Sequence, residues 1–309
     1  MKTCMARPKK KITRKVLTWY LMLLPGLIYI FINNYMPLPG LAIAFKRFDY
    51  SKGIWNSPWV GLGNFTYMFK TNDAMNMIRN TLGYNLTFIF LGNLLAVVIA
   101  IMLNFLRGKM NKKIFQTCIL IPYLLSTVVV SYIVYAFLGQ ESGLLNSLLL
   151  GFGKSKISWY TEAKYWPVIL TIVYLWKSFG YWSILYYATV IGIDSSLYEA
   201  AMVDGASRMK QVWHVTLPGL RNTIITMVLL QIGKIFFSDF GLFYQVPMRS
   251  GLIASVTDTI DVYVYRNLAQ LNDIGRASAA GFLQSVLGFI LILIVNAVVR
   301  KIDKDSALF

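Results

Sequence analysis

Few polar residues sit inside the apolar runs of this chain, and their spacing limits the chemistry they can do. In "YLWKSFGYWSILYY", Tyr174, Ser178, Tyr181 and Trp182 recur at i, i+4, i+7 and i+8, one face of a helix. In "LLQIGKIFFSDF", Gln231, Lys234 and Ser238 recur at i, i+3 and i+7, with Asp239 adjacent. Hydroxyls, an amide and aromatic faces can hold a polar ligand that also has an apolar side. Polar groups inside membrane helices are costly, which makes them candidates for function. Lys177 and Lys234 each need a partner if buried: Asp239 can pair with Lys234, or the lysines can face a cavity and favour an acidic ligand.

The same residues exclude catalysis. His214 is the only histidine, Cys4 and Cys118 lack metal-ligand spacing, and Asp239 is the only acid within an apolar run. There is no G-x-x-x-x-G-K-[ST] stretch, so the chain has no P-loop for ATP. The expectation is a protein that is not an enzyme and holds no metal or cofactor of its own.

The elements that must position these residues are membrane helices. The chain has 309 residues, 57% of them hydrophobic, above the about 45–50% of globular domains. Six runs are long enough to cross a bilayer, which takes about 20 residues: Val16–Met36, Leu82–Phe105, Phe115–Leu138, Tyr165–Gly192, Leu217–Tyr244 and Ala279–Val299. The first is longer than the apolar core of a signal peptide and reads as an uncleaved span. The net charge of +17 would suggest nucleic acid in a soluble chain, but here it reads as basic residues held on the cytoplasmic side, with no nucleic-acid partner. "RPKKKITRK" and "LRGKMNKK" contain no acid and orient both termini inward. The expected fold is all-α and polytopic: a basic cytoplasmic segment 1–15, a first span 16–36, an outer loop 37–77, a core 78–300 and a cytoplasmic tail 301–309.

Two outer loops are elaborate. Trp55, Trp59 and Tyr67 can anchor the membrane interface or touch an external partner. Residues 245–276 carry a helix-like apolar pattern and read as a small external helix or re-entrant cap.

The stretch "YEAAMVDGASRMKQVWHVTLPGL", residues 198–220, is a polar interruption on the cytoplasmic side. Glu199 near a helix start suits the helix dipole, Gly205 breaks the helix, and Pro218 opens the fifth span. Taken alone it is an interfacial connector. However, Glu199-Ala200-Ala201, Asp204-Gly205-Ala206 and Leu217-Pro218 together resemble the EAA loop of type I permease subunits of ABC importers. The resemblance covers about residues 78–300. It implies that Glu199, Ala200, Ala201, Asp204, Gly205, Ala206, Leu217 and Pro218 form a coupling helix that docks on a separate cytoplasmic ATPase, and that ATP and magnesium belong to that ATPase dimer. "LMLLPGLIYIFINNYMPLPG", with Asn34-Tyr35-Met36-Pro37, is similar to carbohydrate permeases of the oligosaccharide and alginate branch. In maltose-type relatives the spans flanking the EAA loop line the sugar site, which implies roles for Ser178, Tyr181, Gln231 and Ser238. Ser178 and Gln231 depart from the maltose permease in type, which leaves the identity of the sugar open. The resemblance further implies a second homologous permease, an extracellular solute-binding protein, and residence in the plasma membrane. Uptake of a peptide or amino acid is the alternative.

Overall fold

The computed structural model describes residues 14–302. The basic segment expected at 1–15 and the tail at 301–309, together with Cys4, fall almost wholly outside the described residues. Among the described residues, five helices are long and apolar enough to cross a membrane, or six if one bent pair counts as a single span.

Helix α1, Arg14–Ile30, runs through a wide π turn, Phe31–Tyr35, into a 3₁₀ segment, Leu38–Phe45. The first apolar run therefore continues to Phe45 instead of ending at Met36. Pro37 is the reason for the irregularity: its ring crowds the carbonyl four residues back, and the π turn before it relieves that clash. Every described side chain from Thr18 to Pro39 is exposed. The 3₁₀ segment is the part that packs, against the last helix.

The following loop is folded. It carries α2, Gly53–Asn56, and α3, Gly63–Lys70. An antiparallel bridge joins Lys46 to Trp59. The buried Lys46 ammonium donates to the carbonyls of Ile54 and Trp55, both at 2.9 Å, and lies 4.7 Å from the centre of the Trp59 ring. Trp55 and Trp59 are exposed, while Tyr67 carries the Arg276 guanidinium 3.5 Å from its ring centre.

Helix α4, Asn72–Phe105, is the axis of the molecule. Ala96 and Ala100 are fully buried in a cluster with Tyr186, Tyr187 and Val190 of the helix that crosses it. Small residues one turn apart let two backbones approach closely, the main source of helix association where lipid already solvates apolar groups. The third expected span, Phe115–Leu138, is in fact broken. Helix α5, Lys109–Leu124, and helix α6, Thr127–Leu138, meet at 92°. Pro122 disturbs the hydrogen bonding near the end of α5, and Ser126 restarts the chain by capping α6 through its hydroxyl. Helix α7, Leu144–Gly151, holds the buried Asn146, whose amide ties Gly139, Gln140, Ile157 and Trp159 together.

Helix α8, Trp166–Ile191, lies against α4 and α5. Gly180 is required there: a Cβ at this position would fall 1.8 Å from the Ile119 carbonyl oxygen of α5. Next come α9, Ser195–Val203, and α10, Arg208–Gln211, which passes through a π turn, Val212–Thr216, into α11, Leu217–Ile232. Pro218 stands in the first turn of α11, as expected, although α11 does not begin the helical run. It sits inside an unbroken helical run, Arg208–Ile232, and the π turn absorbs its missing N–H. That run ends at Gly233, so the expected span to Tyr244 is also broken. Helices α12, Phe240–Gln245, α13, Ala254–Thr257, and α14, Ile260–Tyr265, form a cap of short helices before α15, Ile274–Ile302.

Helix α4 defines two ends. Near its start the Asn80 amide donates to the carbonyls of Ser255 and Asp258. Near its finish the Phe105 ring faces Arg208. The 46–71 loop and the α12–α14 cap share the first end; α9 and α10 occupy the other.

Candidate functional site

At the second end, α9 starts earlier than its first acid suggests. The Asp194 carboxylate accepts from Ser196 N–H at 2.9 Å and caps the helix. Glu199 is thus the fifth residue of α9, not part of its first turn, and the dipole partner is Asp194. Accepting that hydrogen bond holds the Asp194 carboxyl below its usual range. At the other end of α9, Ala206 N–H bonds to Ala201 O and Gly205 N–H to Met202 O. This is a Schellman closure, which needs a left-handed residue; Gly205 supplies it at φ +74°. The backbone is satisfied locally, so the side chains are left outward. Glu199, Ala200 and Asp204 are exposed, Ala201 and Ala206 half-buried, and Val203 is 87% exposed beside Met202. Leu217 is half-buried and Pro218 exposed. The Tyr198 and Thr216 hydroxyls share a 3.0 Å hydrogen bond, and Thr189 meets Thr223 at 3.3 Å. These pairs fasten α8 and α9 to α11.

The residues expected to bind ligand do not form one group. Tyr174 stacks on Phe88 with ring centres 3.8 Å apart and has Ser178, Trp182 and Asp239 among its polar neighbours. One turn on, Lys177 donates to the Thr127 hydroxyl at 2.8 Å, at the start of α6. The Cα of Gly241 sits where an added Cβ would be 3.1 Å from Thr127 Oγ1 and 3.2 Å from Asp239 Oδ1. The two helix breaks, before α6 and before α12, therefore meet at Lys177. This group combines a cation, a carboxylate, hydroxyls and an aromatic face.

The other residues are engaged elsewhere. Tyr181 stacks on Tyr123 of α5 at 4.7 Å, with Trp182 edge-on to it at 5.2 Å. Gln231 accepts from Asn93 Nδ2 at 2.9 Å, and Asn93 Oδ1 accepts from the buried Tyr186 hydroxyl. The three side chains tie α4, α8 and α11 together. The Ser238 hydroxyl and N–H both donate to Asp261 Oδ2, at 2.7 and 2.6 Å. Lys234 is exposed in a cleft of about 190 Å³ between α11 and α15. Asp239 caps α12 by accepting from Leu242 N–H at 3.1 Å; among the described ion pairs none joins it to Lys234. Asn93, Thr127 and Tyr186 were not singled out from the sequence. Asn93 was visible as a polar residue within a run of Leu, Ala and Val.

With this geometry in place, comparison with known proteins is informative. A family model described as "Binding-protein-dependent transport system inner membrane component" matches residues 92–304. Protein LplB of Bacillus subtilis (strain 168) is 35% identical over 290 residues, covering 93% of this chain and 90% of its own. The polygalacturonan/rhamnogalacturonan transport system permease protein YteP of the same organism is 31% identical, covering 93% and 89%. A bacterial ABC transporter involved in the import of the acidic polysaccharide alginate superposes with a TM-score of 0.85 at 29% identity, over 94% of this chain and 97% of that one. A bacterial alginate ABC transporter in complex with an alginate pentasaccharide-bound periplasmic protein matches at a TM-score of 0.84 and 28% identity, over 94% and 96%.

Proposed function

The chain belongs to the binding-protein-dependent transport system inner membrane family, and from that premise we propose that it forms one half of the translocation path of an ATP-driven importer of acidic oligosaccharides. It is a multi-pass membrane permease with no ATPase motif of its own. The second half of the path is a homologous permease; an ATPase dimer and an extracellular solute-binding protein complete the complex. The α9–α10 end is cytoplasmic: Arg107, Lys109, Lys112 and Lys113 crowd the α4–α5 turn there without an acid.

The observation that carries the reading is the α9 turn. Its closed backbone leaves Glu199 and Val203 outward, as a surface for another protein requires. Its ties at Tyr198–Thr216 and Thr189–Thr223 make α8, α9 and α11 move together. Force applied to α9 by the ATPase reaches the two helices that flank Lys177 and Asp239, and the path opens to alternate sides. The acidic class is favoured by Lys177, a cation set among hydroxyls at the junction of two helix breaks, and by the alginate and polygalacturonan transport of relatives.

The test is Glu199→Lys in the complete complex. Stimulation of ATP hydrolysis by loaded binding protein is expected to fall at least about tenfold, the scale for losing a charge-assisted contact, with assembly of the two permeases intact. Normal stimulation would refute the coupling role.

A further inference from the structure

The α12–α14 cap contains a polar pocket of about 300 Å³ whose charges are unevenly used. Arg266 is spent: its guanidinium holds the Asp258 carboxylate through two bonds, at 2.5 and 2.7 Å. Arg249 is not. It is exposed, its guanidinium lies 5.2 Å from the centre of the Tyr244 ring, and among the described ion pairs it has no acid.

The backbone holds Arg249 there by an uncommon route. Met248 and Arg249 both have left-handed conformations, φ +53° and +59°. Side chains other than glycine rarely adopt this region, and two in succession persist only where the surroundings enforce them. The enforcement is visible. Met248 N–H bonds to Gln245 O and Ser250 N–H to Pro247 O, and the Ser250 hydroxyl donates to Tyr160 O at 2.9 Å. Tyr244 is fixed as well, by the Gln270 amide donating to its hydroxyl at 3.1 Å and by the rings of Phe240 and Tyr265.

We propose that Arg249, with Gln270 and the aromatic edge of Tyr265, is an outer subsite that receives a carboxylate-bearing sugar ring on its way to Lys177. The inference rests on the acidic-substrate reading above. A guanidinium laid on a ring keeps its planar donors free for two-point recognition of a carboxylate. Tyr265 is partly exposed and offers an apolar face to a pyranose. Helix α12 connects this subsite to the inner group, since Asp239 caps its start and the 246–249 turn follows its end. Helix α12, six residues at 1.5 Å each, spans about 9 Å between the Asp239 cap and the turn that leads to Arg249.

The test uses the reconstituted complex with its binding protein, carrying either trigalacturonate or its carboxyl-reduced, neutral counterpart. The variants are Arg249→Gln and Arg249→Lys. With Arg249→Gln, trigalacturonate uptake at saturating loaded binding protein is expected to fall about tenfold, the scale for losing a charge-assisted hydrogen bond, with uptake of the neutral trisaccharide unchanged. Arg249→Lys is expected to recover part of the loss. An equal fall for both sugars, or a higher half-saturating concentration of binding protein for both, would mark a structural or docking role and overturn the subsite, as would no change. Wild-type uptake that does not favour trigalacturonate over the neutral trisaccharide would instead overturn the acidic-substrate reading, and the subsite with it. That outcome is read before any variant is made.

Discussion

Two interruptions of the helical frame can be set side by side: the turn after α9 and the break between α11 and α12. Each contains a glycine, Gly205 or Gly233, and each adjoins a helix capped by an aspartate, Asp194 or Asp239. They are closed in opposite ways. The α9 turn satisfies its backbone within itself, through bonds between residues three to five positions apart. The break also makes local bonds, from Lys234, Ile235 and Phe237 N–H to Gln231, Ile232 and Lys234 O, but its later carbonyls are taken by distant side chains. Asn85 of α4 donates to the carbonyls of Ile235 and Phe237 at 2.6 and 3.0 Å, and Gln284 of α15 donates to Phe236 O at 2.7 Å. A turn that closes itself leaves its surface free for another protein. A break closed from two distant helices becomes part of a wall whose shape follows the relative positions of those helices.

The largest effect should come from removing the distant closure. Asn85→Leu strips two carbonyls of their donor in a part-buried site, at about 1–3 kcal/mol each. The thermal midpoint of the purified permease pair should fall by several degrees, whereas Ala200→Ser, on the exposed face of the self-closed turn, should leave it unchanged. Equal effects of the two would erase the distinction.

The same contrast separates what was legible in the sequence. The apolar runs, short helical structure within 245–276 and the glycine turn at Gly205 were readable, because hydropathy and local turn chemistry specify them. The start of α9 was misplaced although Asp194 stood three residues after the α8 terminus as a recognisable cap. The Pro122 break was visible, but its 92° angle was not, since that angle depends on α6 meeting α12. Gln231 and Ser238 illustrate the deeper limit. A polar side chain in a span can be satisfied by a ligand or by another helix, and a sequence names donors without naming their partners. Gln231 finds Asn93, and Ser238 finds Asp261. Tyr174, Ser178 and Lys177 remain at the junction of the breaks.

A paired experiment sharpens this division with an intermediate effect. Lys177→Met should abolish uptake of trigalacturonate while sparing its neutral counterpart, because the junction then holds no cation to meet a carboxylate. Gln231→Leu should leave that selectivity intact and lower stability by about 1–2 kcal/mol, since interhelical hydrogen bonds in membranes carry about that much at most. The readouts are the ratio of the two uptake rates and the unfolding midpoint. A Gln231→Leu change in the ratio would return this residue to the ligand-binding group.

The smallest effect is a pH dependence at the self-closed turn. Asp194 accepts the Ser196 N–H, which favours the carboxylate and lowers its folded pKa below the ordinary carboxylate value. For an acid depressed on folding, the stabilisation is present above the unfolded value and is lost as pH falls through the folded one. Asn caps about as well as Asp and does not titrate, so Asp194→Asn is the reference. The ratio of Ser196 amide protection, wild type over variant, should stay flat from neutral pH to about 4 and decline only below it. The change should remain confined to the first turn of α9, because the Gly205 closure involves no titrating group. A decline already at pH 6 would mean that the Asp194 carboxylate does not bear the cap, and the turn would then owe its order to the Schellman end alone.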